Sequence, residues 1–156
     1  MEKLVGKNDT SGMLETVNAA FHGIDPRDPA LLSPAVLAYI GDTVYDLFVR
    51  TYYLETTDQT AHGLHMSCTT RVCAKAQAES FFRVEPLLSE RELSVYRRGR
   101  NAHLGTVPKN AKIADYRTAT GFEALLGYLY LSKQEKRLAE IVRAALFASE
   151  TGEGGR

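Results

Sequence analysis

Apolar residues in this chain return at three- and four-residue steps, segment after segment, and nowhere settle into sustained alternation. That period belongs to helices with one buried face, and without a period of two there is no strand pattern from which to build a sheet. The expected fold class is therefore all-α. The clearest instance is "LAYIGDTVYDLFVR", Leu37 to Arg50, where Leu37, Ile40, Val44, Leu47 and Phe48 recur on that spacing. Gly41 and Asp42 interrupt it, and both residue types are poor in helix interiors. Close helix packing would explain the glycine, and a glycine at position 127 fits the same explanation.

Capping signals divide the rest. At 156 residues the chain suits one compact domain with its own core. Residues 1–12 read as a flexible lead-in, 13–149 as the folded domain and 150–156 as a disordered tail. A short helix is expected in "MLETVNAAFHGI", and Ser33-Pro34 opens a long helix to about Tyr53. "ETTDQTAHG" reads as a connector. Leu64 to about Arg83 reads as one short and one longer helix, with Ser67 as a cap. Ser89-x-x-Glu92 is a capping box for a helix to about Asn101. "AHLGTVPKNAKIA" is a loop, after which Asp115 caps Tyr116 to Leu131, with Phe122, Leu125, Leu126, Leu129 and Tyr130 on its apolar face. Ser132-x-x-Glu135 predicts a second capping box and a final helix to about Ser149.

The bulk numbers exclude several classes. Basic and acidic residues balance at 19 each, so any nucleic-acid surface must be local. No apolar run approaches the roughly 18 residues of a membrane span, and "MEKLVGKNDTSG" lacks a signal-peptide core. No membrane partner is expected. Cys68 and Cys73 make neither a disulfide framework nor a zinc set; they read as buried thiols in a reducing cytoplasm.

Two carboxylates stand on strongly apolar helices. Asp42 is one; Glu123, in "TGFEALLGYLYL", is the other. A lone buried carboxylate costs several kcal/mol unless paired or bound to metal. Two of them pointing into one place would favour a divalent cation with oxygen ligands, Mg2+ or Mn2+. Asp46, four residues after Asp42 on the same helical face, is a third candidate ligand. Plain salt bridges account for the same residues, since Arg50 follows Asp46 by four and Arg117 lies near the start of the second acidic helix.

From Arg97 to Arg117 the chain reads "RRGRNAHLGTVPKNAKIADYR", with six Arg and Lys against one acid. Arg97, Arg98, Arg100, Lys109 and Arg117, with His103, suit a phosphate backbone, and Asn101 and Asn110 suit sugar or base edges. Arg71 and Lys75, four apart, form a second and weaker cationic edge. A solvated basic helix end is the competing account. Aromatic residues are not interleaved with these cations, which favours a duplex over stacked single strands.

The motifs "LAYIGD", "RVCAKAQAE", "RRGRNAH", "TVPKN" and "YRTATGFEALLGYLYL" together resemble Mini-ribonuclease III, the short form of the ribonuclease III family without a double-stranded-RNA-binding domain. The resemblance runs from about Leu32 to Leu131. It implies an all-helical homodimer and Mg2+-dependent cleavage of double-stranded RNA, with maturation of 23S ribosomal RNA precursor ends as the task. A ribosomal protein is a candidate helper. Asp42 and Glu123 match the family's catalytic, metal-binding carboxylates, and the basic segment matches its RNA-contacting loop region. Where the larger enzymes carry two more acids, this chain has Ala38 and Thr120; Asp46 is a candidate replacement. The dimer interface is expected to draw on Tyr39, Val44, Tyr45 and Phe48, with burial inside one chain as the competing account. A non-catalytic duplex-RNA-binding helical module is the rival reading.

Overall fold

The structure, a computed structural model, describes residues 12–21, 23–102, 106–109 and 111–147. The predicted lead-in up to residue 11 and tail from residue 150, with the expected helix end at Ser149, lie outside the described residues, as do His103 and Asn110. Seven α-helices are described: α1 Met13–Ala19, α2 Pro34–Thr56, α3 Ala61–Val72, α4 Ala74–Val84, α5 Glu90–Arg100, α6 Ile113–Leu131 and α7 Glu135–Leu146. Short 3-10 turns occupy Pro29–Leu31 and Glu85–Leu87, and there is no strand among the described residues. No described helix is long and apolar enough to cross a membrane.

The fold is wound around α6. From Thr118 to Tyr130 every residue except Glu123 is buried, as a helix apolar on all sides requires. Helices α2, α4, α5 and α7 pack around it. Aromatic contacts tie these layers: Tyr45 of α2 meets Phe122 edge-on at 5.3 Å, and Phe81 of α4 stacks on Tyr96 of α5 at 3.7 Å between ring centroids. Glu92 of α5 is buried and held by Arg137 of α7 through two bonds, Nε to Oε2 at 2.9 Å and Nη2 to Oε1 at 2.8 Å. That pairing pulls the Glu92 carboxyl below the usual range.

Gly41 and Gly127 are what bring α2 against α6. A Cβ on Gly41 would run into the backbone carbonyl of Glu123, and one on Gly127 into the carbonyl of Leu37. Helix propensity is sacrificed at both positions so that two backbones can touch.

Several predicted boundaries move. Ser33 caps α2 as expected, its Oγ accepting from Val36 N at 3.3 Å, but the helix continues to Thr56. Thr60 then caps α3, so part of the expected connector is helical, and Ser67 lies inside that helix. The break falls at Cys73, whose backbone turns extended. The Ser89 capping box is present in full. Asp115 is not a cap: α6 begins at Ile113, with Lys112 before it, and Asp115 sits in its first turn. Ser132 does not open α7 either. Its N–H still bonds to Tyr128 O, and the left-handed Lys133 (φ 59°) turns the chain before Gln134. Glu135 instead accepts from the backbone N–H of Met13. Cys68 is buried as expected, whereas Cys73 is exposed. Val44 and Tyr45 are buried within their own chain, so neither serves a dimer face; Phe48 is half-buried and Tyr39 is exposed.

Candidate active site

Asp42 and Glu123 meet because of the glycine contact. Gly41 touches the backbone of Glu123, so the next residue on α2 and the acid on α6 are neighbours in space. Asp42 lies at the edge of the buried face of α2 and is exposed, while Glu123 is half-buried. Burial, followed by the Asp42 charge, pushes the Glu123 carboxyl up to about 8, although a hydrogen bond from the Gln77 side chain opposes the rise. Asp42 is also raised, first by burial and then by the charge of Asp46.

Among the described residues neither carboxylate has a salt-bridge partner. Plain salt-bridging therefore describes Asp46 and not the other two. Asp46 Oδ2 takes Arg50 Nε at 2.7 Å, and its Oδ1 accepts from Cys68 Sγ at 3.1 Å. With both oxygens engaged, Asp46 acts on Asp42 through its charge. Arg117, the other proposed pairing partner, is exposed on α6.

Two neighbouring carboxylates, one raised by the charge of the other and neither with a salt-bridge partner among the described residues, suit a hard divalent cation. No group of three or more His, Cys, Asp or Glu side chains comes together among the described residues. Water would have to complete the shell, which Mg2+ tolerates. Ala38 and Thr120, where the larger enzymes carry acids, are both buried. The Thr120 hydroxyl donates to Tyr116 O at 2.9 Å within its own helix.

A cleft of about 560 Å3 runs from Glu123 along α6. The α3–α4 junction supplies one side, with Val72, Cys73, Lys75 and Gln77; the chain from Pro108 into α6 supplies the other, with Lys112, Tyr116, Thr120 and Glu123. Of the expected RNA-contact residues among those described, Lys75 is the one that shares this cleft with Glu123. Arg97, Arg98, Arg100 and Asn101 are exposed at the end of α5, and Lys109 and Arg117 are exposed beyond it. Arg98 lines a second cleft of about 480 Å3, where Arg91 Nε donates to the Tyr128 hydroxyl at 2.9 Å. Arg71 needs correcting. It is half-buried, with Nε donating to the Tyr53 hydroxyl at 3.2 Å and Nη1 to Leu146 O at 3.1 Å. It caps the end of α7 rather than presenting a free fork to phosphate.

Sequence reasoning missed Gln77 as a site residue and left Lys112 out of the contact set. A signal for Gln77 was available: it sits four and seven residues before Phe81 and Val84, a polar side chain on an apolar helical stripe. Lys112 had only its place in the basic segment.

A helical frame that juxtaposes two carboxylates beside a lysine-lined cleft suits an endoribonuclease, and family comparison gives that class: the Ribonuclease III domain family matches residues 35–134. The chain belongs to the ribonuclease III family. Its relatives there are proteins named Mini-ribonuclease 3. The one from Brevibacillus brevis is 50% identical over 127 residues, covering 81% of this chain and 94% of the relative. That of Thermoanaerobacter sp. is 50% identical over 115 residues, 74% of this chain and 81% of the relative. The crystal structure of protein FN1578 from Fusobacterium nucleatum matches with a TM-score of 0.70 at 28% identity, over 77% of this chain and 96% of that one.

Proposed function

We propose that this chain cuts double-stranded RNA with a divalent cation, Mg2+ or Mn2+ in its place, as a cytoplasmic homodimer. The observation that carries the reading is the pair Asp42 and Glu123, brought together by Gly41 and without a salt-bridge partner among the described residues. Maturation of 23S ribosomal RNA precursor ends, with a ribosomal protein as helper, is the task that the family resemblance brings with it.

When bound, a divalent cation supplies Lewis acidity toward water and phosphate. Asp42 and Glu123 hold it with oxygens from two helices, and Asp46 adds negative charge behind Asp42. Lys75 and Lys112, on the two sides of the cleft, each offer an ammonium to a backbone phosphate. Arg97, Arg98, Arg100, Lys109 and Arg117 extend that cationic surface, with Asn101 exposed beside them; His103 and Asn110 of the same segment are further proposed RNA contacts. Products carry 5′-phosphate and 3′-hydroxyl ends. The dimer face is an exposed apolar stripe on α2: Val36, Tyr39, Leu47 and Leu54 are 43%, 79%, 52% and 64% exposed and fall on one side of the helix. An isologous pair would present one carboxylate site to each RNA strand.

The thin set of acidic ligands favours one rival, a duplex-RNA-binding module without activity. Cleavage of long duplex RNA by wild type and Asp42→Asn, each with Mg2+ and with a chelator, separates the two. Mg2+-dependent cutting by wild type is expected, with a loss of roughly 10²- to 10³-fold or more in the variant while RNA binding persists. Binding without any Mg2+-dependent cutting by wild type would leave the rival standing.

A further inference from the structure

Arg91, Ser94 and Arg98 stand three and four residues apart on α5, so they share one helical face. All three are exposed, and all three line the second cleft, of about 480 Å3. That cleft shares no lining residue with the one beside Glu123. Its apolar part comes from the buried Leu37, Val95 and Tyr128. Arg91 is fixed in place: its Nε donates to the Tyr128 hydroxyl at 2.9 Å, and its guanidinium carbon lies 5.7 Å from the centre of the Tyr128 ring. A guanidinium held at Nε keeps both terminal nitrogens, and Arg91 has no salt-bridge partner among the described residues to occupy them. Arg98, two turns and about 10 Å further along the helix, has none there either. The Tyr128 contact accounts for Arg91 as packing. It does not account for a second arginine and a hydroxyl on the same face of one cleft. Glu90 is the one acid on this lining, so the arginines outnumber it. Asp28, whose charge also reaches Arg91, has its carboxylate on Ala30 N at 2.9 Å.

We infer that this cleft is a binding site for a phosphate-bearing small molecule of nucleotide size, separate from the carboxylate pair. Guanidinium forks take phosphate oxygens in pairs. The Ser94 hydroxyl adds a neutral donor between them, and the apolar part suits a base or sugar. The volume falls within the roughly 300–1,000 Å3 of small-molecule sites. A duplex is a convex rod, of which such a recess admits a single phosphate, so a small ligand is the better fit. The site also has a link to the acids. Leu37 lines it, and the Leu37 carbonyl is what a Cβ on Gly127 would strike, one helical turn along from the contact of Gly41 with Glu123. A ligand seated there touches the same pair of helices that carries Asp42 and Glu123.

The test uses the full chain without divalent cation, with adenosine diphosphate as probe and isothermal titration calorimetry as readout, each variant held well below its melting temperature. Wild type is expected to bind the nucleotide with a Kd below about 1 mM. Arg91→Gln is expected to weaken binding by roughly 10-fold or more. Ser94→Glu is expected to do the same, because it sets a like charge in the cleft while leaving the Arg91–Tyr128 bond alone. Arg91→Lys keeps the charge without the fork and falls between wild type and Arg91→Gln. Lys75→Ala, in the other cleft, keeps wild-type affinity for the nucleotide. Wild type that binds none at millimolar concentration, or binding that falls with Lys75→Ala and not with Ser94→Glu, would overturn the inference. So would duplex RNA bound about 10-fold more weakly by Ser94→Glu while the nucleotide does not bind at all, since the cleft would then belong to the RNA surface.

Discussion

Glu123 is an acid kept where an acid is uncomfortable. Its carboxyl is raised from 4.5 to about 8, by burial first and the Asp42 charge second. The raised value has a direction for stability. Below pH 4.5 both folded and unfolded chains hold the proton and no penalty applies. Between 4.5 and 8 the unfolded chain gives it up while the folded one does not, so stability falls as pH rises, levelling above 8. In chelator, wild type should lose more resistance to urea between pH 5 and pH 8 than Glu123→Gln does. At pH 8 the variant should be the more stable by roughly 1–3 kcal/mol. A steeper loss in the variant would mean that Glu123 is held by an ordinary ion pair. At this scale the two acids were legible in the sequence, because a carboxylate on a strongly apolar helix contradicts its surroundings. Gln77 was not: it carries no charge, and its contradiction shows only once α4 is seen to face α6. Arg71 misled because a cation's spacing says nothing of which carbonyl will claim it.

Element by element, the capping chemistry was readable at Ser33 and Ser89, which are extended and cap their helices. Thr60, extended and capping α3, was read as connector. The capping pattern failed at Ser132, still bonded into the end of α6, and at Asp115, already inside its helix. Side-chain type cannot distinguish a residue that starts one helix from one that finishes another; only the backbone turn at Lys133 does that. The pairing of α2 with α6 was half legible. Glycines at 41 and 127 suggested close packing, but nothing in the sequence said that the contact falls on the backbone of Glu123 itself. Gly41→Ala tests that contact. A single methyl has nowhere to go but into a carbonyl oxygen, so the helices must separate, at a cost of about 1–3 kcal/mol. The melting temperature should fall, and Mn2+ affinity measured below it should fall as well. Affinity unchanged in a folded variant would show that the two acids do not depend on this spacing.

For the whole molecule, the all-α class and the central place of α6 follow from its unbroken apolar run, which leaves only Glu123 short of full burial between Thr118 and Tyr130. The surface is harder to read from sequence. Tyr39, Val44, Tyr45 and Phe48 look equally apolar on paper, yet two of them are interior and the exposed stripe instead runs through Val36, Tyr39, Leu47 and Leu54. If that stripe joins two copies, Leu47→Lys with Leu54→Lys should halve the mass seen by light scattering and depress duplex cleavage without unfolding the chain, since lysine is a good helix former. A dimer of undiminished mass would move the interface elsewhere.

The absence of a side chain at Gly41 reaches beyond packing. Because the two acids sit on different helices pressed backbone to backbone, a cation bound by both, as proposed, would also fasten those helices. Such an ion would be a rivet as much as a reagent, adding its binding energy to the α2–α6 contact.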